Sequence, residues 1–298
     1  MDTPDIETRG HEPAPLHNAR LAFIGCGVMA EAIIAGVLRR QLVPAEQIVG
    51  SHPRAARREE LYTKYGVRVL EDNREAVLAS QSVDAADETT PGASLVILAV
   101  KPQRLNKVLH ELKGAILPRQ LVVSIVAGAK AETIAGELSH PAVVRTMPNT
   151  PAQIGQGMTA WTATTEVTEA QERAVCAMLE ALGKTMRVEN ERQIDMATAL
   201  SATGPTYIFL VMEALVDAGV HMGFSRHAAQ DLVQQMMLGS VMFAMESHKH
   251  PAELRNMVTS PGGTSAEAIY QMEKGGLRTV LSKAVWAAYQ RAVALGEK

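Results

Sequence analysis

Aromatic residues make up only 4% of this 298-residue chain, and cysteine occurs twice. So few aromatics disfavour a β-sandwich and suit an α-rich or α/β protein. Cys26 and Cys176 lie far apart in sequence, so no disulfide framework or cysteine metal cluster is expected, and a reducing, cytoplasmic compartment follows. Charge of one sign is also lacking. The 29 Lys and Arg residues against 32 Asp and Glu leave a net charge of -3, with no footprint for nucleic acid or an anionic membrane. Small molecules are the expected partners. No apolar run is expected to reach the roughly 20 residues of a membrane span without a charge or turn residue interrupting it. Residues 1–19 carry Pro13 and Pro15 and no apolar stretch of the signal-peptide kind, and are expected to form a disordered leader.

The length suggests two domains. From Leu21, short apolar runs alternate with helical segments, the pattern of a Rossmann-like, doubly wound α/β sheet. Strands are expected at Leu21–Ile24, Ile48–Gly50, Val67–Val69, Leu95–Val100, Leu121–Ile125 and Val143–Thr146, with helices at Glu31–Arg40 and Ala55–Tyr65. Residues 82–93, acidic and rich in small residues, read as a surface insertion. Beyond Val188 the pattern becomes helical, with Ile208, Val211, Met212, Leu215 and Val216 and then Leu232, Val233, Met236 and Met237 recurring at helical spacing. The expected division is therefore a dinucleotide-binding domain over 20–188 and an all-helical domain over 189–298. So many apolar faces on a short segment call for a second subunit, so a homodimer is expected.

The run Ile24-Gly25-Cys26-Gly27-Val28-Met29-Ala30 ends a strand and opens a helix in a G-x-G-x-x-A pattern. Gly25 permits the turn, Gly27 lets the backbone approach a pyrophosphate, and Ala30 allows close packing. Cys26 reads as a small packing residue within the loop. The second strand ends in Ser51-His52-Pro53-Arg54, without the carboxylate that binds the ribose 2′-hydroxyl of NAD. Ser51 and Arg54 would instead bond a 2′-phosphate, which favours NADPH and keeps NADH as the alternative. Ala99-Val100-Lys101-Pro102 and the turn through Ala127 and Gly128 end two further strands on the carboxyl side, where the nicotinamide half would lie.

Thr259-Ser260-Pro261-Gly262-Gly263-Thr264-Ser265 leads into a helix over Ala266–Lys274. Its glycines expose N–H groups at the positive end of that helix, which suits a carboxylate. Thr264 and Glu267 also have the spacing of a capping box. His248 and His250 near Glu246 and Glu253 lack zinc spacing, so no metal is expected.

Several separated segments together resemble pyrroline-5-carboxylate reductase: IGCGVMAEAI from Ile24, AVKPQ from Ala99, RTMPNTPA from Arg145, ALSATGPTYIF from Ala199, EALVDAGVHMG from Glu213 and HPAELRNMVTSPGGTS from His250. The resemblance spans Leu21 to Leu295. It implies a Rossmann-like domain, a helical dimerisation domain, an active site between them and often rings of dimers. It also implies that Ser260, Gly262, Gly263, Thr264 and Ser265 hold the imino acid, with the Ser265 hydroxyl on the ring nitrogen, and that Asn73 lies near the adenosine ribose. Ser265 stands where the family pattern usually has Thr, which keeps the hydroxyl and loses the β-branch. Ser201-Ala202-Thr203-Gly204-Pro205-Thr206-Tyr207 departs from the usual Ser-Gly-Ser-Gly-Pro-Ala-Tyr, which bears on substrate selectivity.

The expected reaction is reduction of L-1-pyrroline-5-carboxylate to L-proline, the last step of proline biosynthesis. The protonated imine is already electrophilic, so positioning dominates. A six-membered imino acid remains an alternative, since one methylene is worth only about 1–3 kcal/mol in a pocket. A hydroxyacid dehydrogenase would need a general acid, and no lysine lies between Lys184 and Lys249; His221 and His227 read as helix-end histidines. A non-catalytic dinucleotide sensor would bind cofactor without consuming it.

Overall fold

The computed structural model describes Leu16 and residues 18–81 and 94–296. The insertion expected over 82–93 lies outside them, as does the leader except for Leu16, Asn18 and Ala19. The described end of that leader departs from disorder, because Leu16 and Ala19 are each 1% exposed and packed into the core.

By its internal packing the chain divides into two compact units, 1–198 with 292–298, and 199–291. The first contains β1 (Leu21–Ile24), α1 (Val28–Arg39), β2 (Ile48–Ser51), α2 (Ala55–Tyr65), β3 (Arg68–Leu70), α3 (Asn73–Ala79), β4 (Leu95–Leu98), α4 (Pro102–Leu112), β5 (Leu121–Ser124), α5 (Ala131–Leu138), β6 (Val143–Met147), β7 (Gly157–Ala163), α6 (Glu169–Glu180), β8 (Gly183–Arg187) and α7 (Glu191–Ala197). The eight strands form one sheet in the order β3-β2-β1-β4-β5-β6-β7-β8, parallel from β3 to β6. β7 runs antiparallel to β6, and β8 parallel to β7.

The central strands β1, β4 and β5 are short, fully buried and almost wholly apolar because both faces of the sheet are covered there. Leu21 and Phe23 of β1 join the core on one side while Ala22 and Ile24 join that on the other; Leu95 and Ile97 of β4 divide from Val96 and Leu98 in the same way. The strand order reverses between β1 and β4, and ligands bind in open α/β sheets at the carboxyl ends of strands flanking such a reversal.

The structure corrects several expected boundaries. α1 begins at Val28 rather than Glu31, directly after the glycines, while β4 stops at Leu98 and β5 at Ser124, both short of the expected ends. β7 was not expected: Gly157, Ala160 and Ala163 weaken the strand signal of its Thr and Trp residues, and pairing with β6 and β8 supplies the order. α7 packs with the sheet unit, so the packing division falls at Thr198 rather than at Val188.

The second unit is built from α8 (Gly204–His221), α9 (Arg226–Ser247), α10 (Pro251–Met257), α11 (Thr264–Lys274) and most of α12 (Leu277–Leu295), whose last turn belongs to the first unit. Its small core is Val216, Ala229 and Val233, with Met212, Val220 and Met237 packed around them. Phe209, Leu210, Leu232, Val241 and Trp286 remain about half exposed or more. The helical run Glu191–His221 is long and apolar enough to cross a membrane by length and composition alone, with Gly204-Pro205 inside it. Glu213 and Asp217 interrupt its apolar residues without lowering the average enough to exclude it.

Candidate active site

In the first unit the site is built around the turn from β1 to α1. Gly25 has φ +91, and a Cβ there would stand 2.7 Å from Cγ1 of Val100 and 3.1 Å from the carbonyl of Ala99. Only glycine allows the turn after β4 to close against the turn after β1. Ala99 donates its N–H to the carbonyl of Ile24 at 2.9 Å, so two of the expected cofactor segments meet here. Gly27 is the N-cap of α1 and has open space where a Cβ would stand. The first amides of α1, at Val28, Met29 and Ala30, precede its first intrahelical bond, from Glu31 N to the Gly27 carbonyl. Val28 is exposed at this end. An open helix start beside a backbone without side chains fits a dinucleotide pyrophosphate.

Ser51, at the end of β2, is fully buried. Its Oγ donates to Asn73 Oδ1 at 2.7 Å and accepts from the N–H of Gly25 at 3.2 Å, while its carbonyl accepts from Cys26 N at 2.9 Å. It therefore shapes the glycine turn from below. Asn73, at the start of α3, donates onward to Glu111 at 2.7 Å, so Ser51 and Asn73 are brought together. Arg54 is the exposed N-cap of α2. His52 accepts from the Arg54 amide at 3.2 Å, and Arg58 donates to the carbonyls of His52 and Pro53 at 3.0 Å each. Burial and the neighbouring arginines hold the imidazole of His52 below its ordinary value.

Cys26 is fully enclosed, and burial pushes its thiol up to about 12. A thiol held protonated is a poor nucleophile, as a packing role requires. Its Sγ occupies the space where Gly50 of β2 would carry a Cβ. Lys101 caps α4 with Pro102 in its first turn, and Lys101 is exposed. Ala127 is half-buried and Gly128 has φ +77. Gly128 is buried beneath the chain's carboxyl-terminal helix end: a Cβ there would lie 2.7 Å from Leu295 Cβ.

In the second unit, Ser260-Pro261-Gly262-Gly263 forms a tight turn. Gly263 N donates to the Ser260 carbonyl at 3.0 Å, with Gly262 at φ +70, as a type II turn with Pro and Gly at its corners requires. Ser260 Oγ folds over Gly263, leaving no room there for a Cβ. Two details change the expected division of roles. Gly263, not Thr264, is the N-cap of α11, without a side-chain cap, and Glu267 accepts from Gln271 instead of reaching back; the capping box does not form. The Gly263 amide is committed within the turn, so the donors ahead of the first intrahelical bonds, from Ala266 and Glu267 to the Gly263 carbonyl, are the amides of Thr264 and Ser265. Ser260 and Thr264 are exposed and Ser265 is half-buried. His248 ends α9, and His250 caps α10 through its Nδ1, accepting from Ala252 N at 3.2 Å.

Sequence reasoning missed two charged groups. Arg145 of β6, 2% exposed, pairs with Asp195 and with Glu191 at 3.3 Å, and Glu191 also accepts the Ala131 amide at the start of α5. Arg57 of α2 grips the glycine turn through the Cys26 carbonyl at 3.2 Å. A lone arginine on a strand or a charged helix carries no spacing signal; only the folded neighbours reveal either.

Two family models match the chain. One, described as pyrroline-5-carboxylate reductase dimerisation, matches residues 191–295, and one described as NADP oxidoreductase, coenzyme F420-dependent, matches residues 20–128. The chain is similar to the pyrroline-5-carboxylate reductase of Pseudomonas aeruginosa, with 41% identity over 280 residues, covering 94% of this chain and 97% of that protein. It is also similar to the solved structure of a pyrroline-5-carboxylate reductase from Coxiella burnetii, at TM-score 0.81 and 33% identity over 95% of this chain and 100% of that one. A Plasmodium falciparum pyrroline carboxylate reductase solved with NADP bound has TM-score 0.83 and 27% identity, covering 94% and 99%.

Proposed function

The chain belongs to the pyrroline-5-carboxylate reductase family, and from that premise we propose that it reduces L-1-pyrroline-5-carboxylate to L-proline with NADPH, completing proline biosynthesis in the cytoplasm. The observation that carries the reading is the Ser260–Gly263 turn feeding α11. It leaves the amides of Thr264 and Ser265 ahead of the first intrahelical bonds at a positive helix end, with Ser265 in that same first turn. A carboxylate and a neighbouring ring nitrogen are the two polar features of the imino acid, and this turn has donors for both.

A bound dihydronicotinamide supplies the hydride that reduces the imine carbon. The protein's part is to hold the iminium so that little reorganisation remains. The Thr264 and Ser265 amides, with Ser260 and Gly262 in the same turn, fix the carboxylate. Ser265 Oγ accepts from the protonated ring nitrogen and keeps it oriented until it becomes the amine. The open face at Gly27 and the first amides of α1 hold the pyrophosphate, and Ala99 to Pro102 with Ala127 and Gly128 form the backbone turns near the nicotinamide. Arg54 recognises the 2′-phosphate and so sets the preference for NADPH over NADH. Ser51, being buried, contributes by fixing Gly25 and Asn73.

The apolar faces of α8, α9 and α12 are covered by a second copy, and dimers assemble further into a ring. The matched dimerisation segment contains the apolar run from Glu191, which supports cover by protein rather than by lipid. Light scattering would return at least a dimer from the soluble fraction; a monomer overturns this assembly. The activity itself is tested by following NADPH oxidation with pyrroline-5-carboxylate and with its six-membered homologue. Faster turnover of the five-membered ring is expected. Cofactor binding without oxidation by either imine would refute the reading.

A further inference from the structure

Arg57 lies in the first turn and a half of α2, and all three of its guanidinium nitrogens are engaged. Nε donates to the Cys26 carbonyl at 3.2 Å, one terminal nitrogen pairs with Glu60 at 2.9 Å, and the other pairs with Glu31. Its side chain is 12% exposed, so it is set into the fold. The carbonyl it holds belongs to the peptide that joins Cys26 to Gly27, the N-cap of α1.

Glu31 stands in the first turn of that same helix and also accepts from Lys64 at 2.8 Å and from the Tyr65 hydroxyl at 2.9 Å. Burial alone would push this carboxyl up, but the bonds from Lys64, Arg57 and Tyr65 outweigh it and bring the group down to about 2. Glu31 is thus a fixed negative charge one turn from the helix start. A dinucleotide pyrophosphate needs that same positive end. An uncompensated carboxylate there would repel the phosphates, and a free Cys26 carbonyl would be able to turn its oxygen toward them.

We infer that Arg57 is the positioning residue of the pyrophosphate site, which it prepares by holding the Cys26–Gly27 peptide and, together with Lys64, neutralising Glu31. The inference rests on the reading of the glycine turn as the dinucleotide site. It assigns Arg57 a role independent of the ribose 2′-phosphate. Arg54, exposed at the start of α2, is the residue read as discriminating that group; Arg57, turned toward α1, serves NADPH and NADH alike.

The test uses the full chain with Arg57→Ala, Arg57→Lys and the double variant Arg57→Ala/Glu31→Gln. Cofactor Kd and KM are measured for both nucleotides, with kcat at saturation and a thermal melt. Losing a charge-assisted contact network should raise KM for NADPH and NADH together by about tenfold or more, with kcat nearly unchanged. Arg57→Lys should recover part of this, and removing the Glu31 charge from the alanine variant should recover more. A loss confined to NADPH would overturn the inference in favour of direct 2′-phosphate contact. So would a fall in kcat with KM unchanged, or no recovery in the double variant. Should Arg57→Ala fail to fold, the double and lysine variants carry the same comparison. A wild-type chain that binds neither nucleotide sinks the site reading itself, whereas binding that is equal in wild type and all variants sinks only the role of Arg57.

Discussion

Replacing Gly50 by alanine would place a methyl carbon in the space that Cys26 Sγ already occupies, too close for any ordinary contact, with Val69 Cγ2 3.6 Å away on another side. The sulfur has little freedom to retreat: Cys26 is fully buried and its thiol lies toward the Phe23 carbonyl at 3.7 Å. Overpacking of this kind costs about 1–3 kcal/mol. Cys26→Ala, the opposite error, removes the sulfur and leaves a small void, costing about 1 kcal/mol. In the double variant the new methyl at position 50 fills the place of the lost sulfur, so the two penalties should partly cancel, with a coupling of about 1–2 kcal/mol. Melts at one fixed protein concentration read this directly, since about 1 kcal/mol corresponds to about 2–4 °C for a domain of this size. Gly50→Ala should also raise the cofactor KM, because the sulfur it displaces belongs to the glycine turn. Additive losses in the double variant would refute the packing argument.

Three other outcomes follow from the geometry. Ser265→Ala should lower kcat by about tenfold to a hundredfold while leaving the melting temperature in place, since the proposed role of the half-buried hydroxyl is toward the substrate and Gly263, without a side-chain cap, starts the helix; an unchanged kcat would contradict this. Arg145→Ala leaves Asp195 and Glu191 facing each other without their cation and should destabilise the fold by about 3–5 kcal/mol in denaturant titration. Glu31 titrates near 2 in the folded chain, below its unfolded value, so its stabilisation is complete above that unfolded value of about 4.3 and fades as pH falls toward 2. Comparing Glu31→Gln with wild type from pH 6 to pH 2 should show a stability gap that closes on acidification, and a constant gap would argue against the carboxylate network.

The parts of the molecule legible in sequence are those where local and global demands agree. β1, the glycines and α1 could be read because a doubly covered strand is apolar throughout and because Gly25 at φ +91 admits no other residue. The Ser260 to Ser265 loop could be read for similar reasons, since Pro261 and Gly262 set the turn. Its cap could not. The Thr264 and Glu267 spacing is correct for a capping box, but the turn delivers Gly263 at φ -82 and ψ 167 as N-cap and makes Thr264 the first helical residue. β7 escaped because its order comes from its neighbours. Arg57 and Arg145 escaped because their partners are distant in sequence, so that nothing distinguishes them from solvated charges until the chain folds. The Ser51 hydroxyl, read as a phosphate ligand, is turned inward for the same kind of reason: the backbone of Gly25 lies over it.

The proposed chemistry is tested most directly by tracing the hydride. With NADPH deuterated at the transferable position of the nicotinamide and pyrroline-5-carboxylate as substrate, mass spectrometry of the product should find proline carrying one deuterium on the former imine carbon, in step with NADPH oxidised. Proline without the label, or oxidation of the nucleotide without proline, would contradict the proposed transfer.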